Sequence, residues 1–84
     1  GLSVSENEIP DLKIYPNPVS DNYITIVSSL SAEKFIEIFD VNARKVLSTS
    51  ISDDILDISN LEAGFYMIRV TIDGKSSTSK LIIS

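Results

Sequence analysis

The side chains able to do chemistry in this chain are few and narrow in kind. Among its 84 residues there is no histidine and no cysteine. That removes the commonest general base, the thiolate nucleophile, every disulfide, and imidazole or thiolate metal ligands. Twelve carboxylates, seven lysines and arginines, and scattered hydroxyls remain. The one dense acidic group is Asp53, Asp54 and Asp57. Calcium asks for about six or more oxygens, which this loop alone does not supply, and the spacing matches no EF-hand. The cluster reads as a solvated loop rather than a calcium site. Tyr15, Phe35 and Phe65 could form an exposed aromatic platform for a sugar. Aromatic residues on strands are more often largely buried, covering a sheet, and that is the expectation taken here. No nucleophile stands with a base, no acids pair and no metal set forms, so the sequence predicts a protein that is not an enzyme and uses no cofactor.

The charge balance of 7 − 12 = −5 makes nucleic acid and anionic membrane poor partners. No apolar run approaches the roughly 20 residues that span a bilayer. The length fits one domain. A domain of this size buries only about 60–65% of its unfolded surface.

The elements that would position any site are β-strands. The run Leu61–Ile72 is the longest β-rich stretch. Side chains of a strand alternate between faces. Tyr66, Ile68, Val70 and Ile72 therefore share an almost wholly apolar face, and Phe65, Met67, Arg69 and Thr71 a mixed one. This is the pattern of a central strand with a core face and a partly covered back. Gly64 suits the tight entry to it.

The other strands follow in chain order. Residues 1–10 are polar and read as a linker, so the domain is expected over 11–84. Leu12–Tyr15 is a short strand, stopped by Pro16-Asn17-Pro18. Two prolines fix two φ angles and delete two donors, which makes a rigid corner suited to a sheet edge. Tyr23–Val27 alternates again. Glu33–Asp40 carries good helix formers, yet it is short and rich in Ile and Phe, and it reads as a strand. A hairpin turn at Asp40–Arg44 leads into Lys45–Thr49. Leu56 and Ile58 mark a fifth strand. Asp73-Gly74 is a strong two-residue hairpin signal, and Lys75–Ile83 is the last strand. Seven short strands with regular turns predict an all-β fold, a seven-stranded antiparallel β-sandwich of immunoglobulin-like type.

Four motifs now stand in order: Tyr15-Pro16-Asn17-Pro18; Phe39-Asp40 with Arg44-Lys45-Val46; Leu61-x-x-Gly64-x-Tyr66-x-Ile68-x-Val70; and Lys80-Leu81-Ile82-Ile83. Together they resemble the type A C-terminal sorting domain of the type IX secretion system, over about residues 11–84. The resemblance implies a small β-sandwich that directs a fused N-terminal cargo from the periplasm of a Gram-negative bacterium through the outer-membrane translocon. It implies shuttle proteins as partners and a sortase-like cysteine peptidase that removes the domain, cutting within or before residues 1–10. The cargo would end at the cell surface or in the medium. The motif positions carried over are Pro16, Asn17, Pro18, Asp40, Arg44, Lys45, Gly64 and Tyr66. The strand Lys80, Leu81, Ile82 and Ile83 is the candidate for recognition, by lending its edge to a receptor strand. The family usually has glycine where this chain has Ala43, which strains the turn if the position is left-handed. A rival reading of the same residues is a small adhesion or carbohydrate-binding module of a secreted enzyme.

Overall fold

The computed structural model describes residues 9–84. It contains seven strands: β1 (Lys13–Tyr15), β2 (Tyr23–Val27), β3 (Lys34–Phe39), β4 (Lys45–Ile51), β5 (Ile55–Asp57), β6 (Gly64–Ile72) and β7 (Lys75–Ile83). They form a three-stranded sheet in the order β1-β2-β5 and a four-stranded sheet in the order β4-β3-β6-β7. Each pairing among these seven strands is antiparallel, and an isolated bridge of Val19 to Ile83 is parallel. The order is that of an immunoglobulin-like sandwich whose fourth strand joins the sheet of the third.

The period-two pattern decides what lies inside. Ile24 and Ile26 of β2, Ile36 and Ile38 of β3, and Ile68, Val70 and Ile72 of β6 are fully buried between the sheets. Leu56, Ile58, Leu81 and Ile83 join them in the core, as do Ile9 and Val19, with Leu61 and Tyr66 packed at its margin. β6 lies between β3 and β7, so its backbone is paired on both sides. A helix over residues 32–39 would bury Phe35, Ile36 and Phe39 together. As a strand the segment instead buries Ile36 and Ile38 and turns Phe35 and Phe39 outward. Pairing on both sides, to β4 and β6, is what carries it.

Of the segment 1–10 read as a linker, residues 1–8 lie outside the described residues. Ile9 and Pro10 belong to the packed domain. Ile9 is only 5% exposed, its N–H donates to Ser77 Oγ at 3.0 Å, and the Pro10 carbonyl accepts from the Ser29 N–H.

The aromatic residues correct the sequence expectation of burial. Tyr15, Phe35 and Phe65 are all exposed, Phe65 by 62%. They do not gather into one platform. Tyr15 belongs to the three-stranded sheet, while Phe35 and Phe65 stand near opposite ends of the other, opposite Thr71 and Ile82. Alternation had set them on the outward face, and no further element covers that face among the described residues.

Two hairpins use left-handed backbone. Asp73 (φ 53°) and Gly74 (φ 82°) make the two-residue turn between β6 and β7, as positive φ at both central positions requires. In the β3–β4 loop Ala43 has φ 65°, where a Cβ crowds the following carbonyl. Ala43→Gly is therefore expected to stabilise the domain by about 1 kcal/mol. That would lift the melting temperature by roughly 4–8 °C for a chain of this size. A thermal melt checks it, and a lowered midpoint rejects strain at this position.

Candidate functional site

The motif residues are far apart in sequence, yet they converge on one end of the four-stranded sheet. The Pro16-Asn17-Pro18 corner carries cis peptide bonds before both prolines and lies along the edge of β7. The Asn17 side chain acts there like a peptide group of one more strand. Its Nδ2 donates to the Lys80 carbonyl at 3.0 Å, and its Oδ1 accepts from the Ile82 N–H at 3.0 Å. Val19 continues the pairing. Its N–H donates to the Ile82 carbonyl at 2.7 Å, and its carbonyl accepts from the Ser84 N–H at 2.8 Å. Val19 itself is fully buried.

This changes how the last strand can be read. β7 is an edge strand, as the sequence suggested. Over residues 80–84, however, its outward backbone groups already have partners in Asn17 and Val19. A receptor strand could pair there only by displacing residues 17–19. What the segment offers to the outside is side chains. Leu81 and Ile83 point into the core, and Lys80 and Ile82 point out.

Asp40 organises the β3–β4 turn. Its Oδ1 accepts from the Asn42 N–H at 2.9 Å and the Arg44 N–H at 3.0 Å. Its Oδ2 accepts from Arg44 Nε at 3.3 Å, and its backbone N–H donates to the Arg44 carbonyl at 2.9 Å. Lys45 leans over β3 to meet Glu37 at 2.9 Å. Between the pairs Ile38–Leu47 and Phe39–Lys45 the register slips by one, so β4 bulges at Val46. That bulge carries the turn over the sheet end. Gly64 has φ 155° and open space around it, with only the Tyr66 ring as near as 3.9 Å to a notional Cβ. The requirement for glycine there is backbone conformation. Tyr66 closes the adjoining loop, its hydroxyl donating to the Glu62 carbonyl at 2.6 Å.

The hydrogen bonds to Asp40 hold its carboxyl below the ordinary aspartate value, chiefly through the Arg44 amide, with help from the Asn42 amide and the Arg44 charge. A carboxyl whose folded value is depressed stabilises the fold above its unfolded value of about 3.9, and that contribution is lost as pH falls through the folded value. Asp40→Asn should thus lower the melting temperature at neutral pH and make stability less steeply dependent on pH below about pH 4. Parallel melts across the acid range test this, and identical acid slopes in the two proteins would reject it.

The acidic cluster that drew attention in the sequence is dispersed. Asp54 Oδ1 accepts from Lys34 Nζ at 2.8 Å. Asp53 Oδ1 accepts from the Ile55 N–H, and Asp57 from the Ser59 N–H, which draws the Asp57 carboxyl below its ordinary value. Among the described residues no group of three or more acids is arranged to hold a metal ion. Lys34 is the surprise: it occupies an inward position of β3, is 4% exposed, and reaches Asp53 O as well as Asp54.

Beside the motif residues the sheet's outer face opens into a cleft of about 480 Å³. Phe39, Asp40, Val41, Phe65, Met67 and Lys80 line it, together with Ala43 and Tyr66. Phe39, Met67 and Lys80 face one another across three adjacent strands. Sequence motifs marked Phe39, Asp40, Tyr66 and Lys80 but not Phe65 and Met67 of the apolar seat. The signal for those two was that the back of β6 begins with apolar residues.

The structure is thus a small all-β sandwich that gathers motifs from four parts of the chain at one end of its four-stranded sheet, beside an apolar cleft. The chain belongs to the family of secretion system C-terminal sorting domains, whose pattern matches residues 13–84. The protein is accordingly a type IX secretion sorting signal, and a cargo that carries it is secreted to the cell surface or the extracellular space. It is also 36% identical over 89 residues to the ulvan lyase NLR42 of Nonlabens ulvanivorans. The alignment takes in 99% of this chain but only 16% of that enzyme. The likeness therefore covers a tail domain, and the lyase activity belongs to the relative.

Proposed function

We propose that residues 11–84, with Ile9 and Pro10 packed onto them, are the address, and that a sortase-like cysteine peptidase cuts within or before the segment that precedes Ile9. The cargo then crosses the periplasm with shuttle proteins, passes the outer-membrane translocon, and leaves the domain behind. An enzyme is the class of cargo proposed, since the matched relative is named a lyase. The observation that carries this reading is the family match over the whole sandwich. The motif residues Pro16, Asn17, Pro18, Asp40, Arg44, Lys45, Gly64 and Tyr66 act by shaping the end of the four-stranded sheet. Lys80 and Ile82 are the part of the last strand read from outside.

The test is to fuse residues 1–84 behind a periplasm-targeted reporter in type IX-competent cells. Export of the reporter with cleavage near the junction is expected. A reporter held in the periplasm, while an established sorting domain exports it, would overturn the proposal and favour the adhesion module.

A further inference from the structure

The cleft beside Lys80 sets exposed apolar side chains next to a lysine. The chain as a whole carries −5. The outward side of the four-stranded sheet and its β3–β4 turn carry Arg44, Lys45, Arg69 and Lys80 against only Glu37 and Asp40. Asp40 is taken by Arg44 at 3.3 Å, and Glu37 is shared between Lys45 at 2.9 Å and Arg69 at 3.9 Å. Lys80 has no carboxylate within ion-pair distance among the described residues. It is exposed, and it stands at the end of the Phe39-Met67-Lys80 row.

Phe65 is 62% exposed and Met67 41%. Apolar side chains left open in one place, rimmed by polar groups, mark an interaction site. The cleft volume falls in the lower part of the range for built pockets, about 300–1,000 Å³. Methionine adapts its shape to what enters and favours aromatic contact. An acidic protein that keeps an apolar seat with a lysine at its end that is unpaired among the described residues, the neighbouring Asp40 being held by Arg44, is complementary to an anionic group at that point, although its net charge repels such a partner elsewhere.

We propose that this cleft is the receptor-docking site of the sorting domain, and that its occupant is a protein segment presenting an apolar side chain beside a carboxylate. Phe39, Phe65 and Met67 seat the apolar group, and Lys80 pairs with the carboxylate. The inference rests on the sorting function proposed above and names the chemistry of the partner. It assigns recognition to side chains of the sheet face, since the Asn17 and Val19 contacts occupy the backbone edge of residues 80–84.

The experiment uses the full 84-residue chain fused to the exported reporter. Met67→Ser, the double variant Phe65→Ser with Met67→Ser, and Lys80→Glu are each expected to cut export at least about tenfold, as loss of a buried contact or a charge reversal does at a binding site. Lys80→Arg keeps the charge and should export normally. Phe35→Ser, at the other end of the same face, should do so too. Melts of the purified fusions show whether the sandwich is intact. If a serine variant proves unfolded, the Lys80 pair decides. A photo-crosslinker placed at position 67 should join a membrane-associated protein through a peptide holding Asp or Glu next to an aliphatic or aromatic residue.

Normal export of folded Lys80→Glu and Met67→Ser overturns the inference and leaves the sorting function standing. So does a crosslink from position 67 to lipid only, or to a second copy of the chain only. A wild-type fusion that is not exported overturns the sorting function itself, and this inference with it.

Discussion

A chain ending at Ser79 is expected to be unfolded in water at room temperature, with a coil spectrum in the far ultraviolet and no cooperative melt. Leu81 and Ile83 are core residues, each worth about 1.5–3 kcal/mol of burial. Their removal also strips the partners of Asn17 and Val19 and unpairs β6 from Gly64 to Met67. The whole domain has only about 4–12 kcal/mol of stability at this length, so the deletion consumes most or all of it. Asn17→Ala separates the components. It keeps the buried apolar surface and loses two hydrogen bonds, at a cost of about 1–2 kcal/mol. A truncated chain that melts cooperatively near the temperature of the full chain would refute the expectation. The result bears on function. Loss of export after such a truncation reports unfolding as much as lost recognition, and substitutions at Lys80 are the cleaner probe.

The second large effect concerns Lys34. Its ammonium lies inside the sandwich and is held by the Asp53 carbonyl at 3.0 Å and the Asp54 carboxylate at 2.8 Å. Asp54→Ala leaves a buried cation with one neutral partner, and is expected to cost about 1–3 kcal/mol. Asp54 is itself half exposed, so water takes over part of its role and the lower half of that range applies. Lys34→Met keeps the unbranched stem and deletes the charge. Removing one partner of a buried pair is costly where it strands the other's charge, but Asp54 is half exposed and water can solvate it, so this variant should cost less than Asp54→Ala and melt near the parent temperature. Chemical denaturation of both variants decides the matter. If Lys34→Met destabilises as much as Asp54→Ala, the ion pair is a net source of stability and this account of it fails. The pair ties the bend at residues 52–54 to β3, and so fixes where the chain crosses from one sheet to the other.

Most of the fold was legible because strand periodicity is local. Ile24 and Ile26, Ile36 and Ile38, and Ile68 with Val70 alternate within a few residues of each other, and each alternation names its own inward face. Turn chemistry is equally local. Asp73-Gly74 between two β-rich runs favours the left-handed backbone of a two-residue hairpin, and the demand on Ala43 follows from its place in the hairpin. The exposed aromatics were misjudged for a related reason. Alternation puts Phe35 and Phe65 on the back of the sheet, but nothing in a local pattern says whether another layer covers that back.

The chain's own residues thus determined the seven strands, their inward faces, the turns, and the exclusion of histidine and cysteine chemistry. Tertiary structure alone decided the rest. Asn17 meets Lys80 across 63 residues of chain, and its amide could have served many edges. Lys34 sits at an inward position that hydropathy assigns to an apolar residue, and only the approach of Asp53 and Asp54 satisfies its charge. The cleft exists because three strands set Phe39, Met67 and Lys80 side by side. Such contacts depend on distances between segments, and a periodic pattern along one segment carries no record of them.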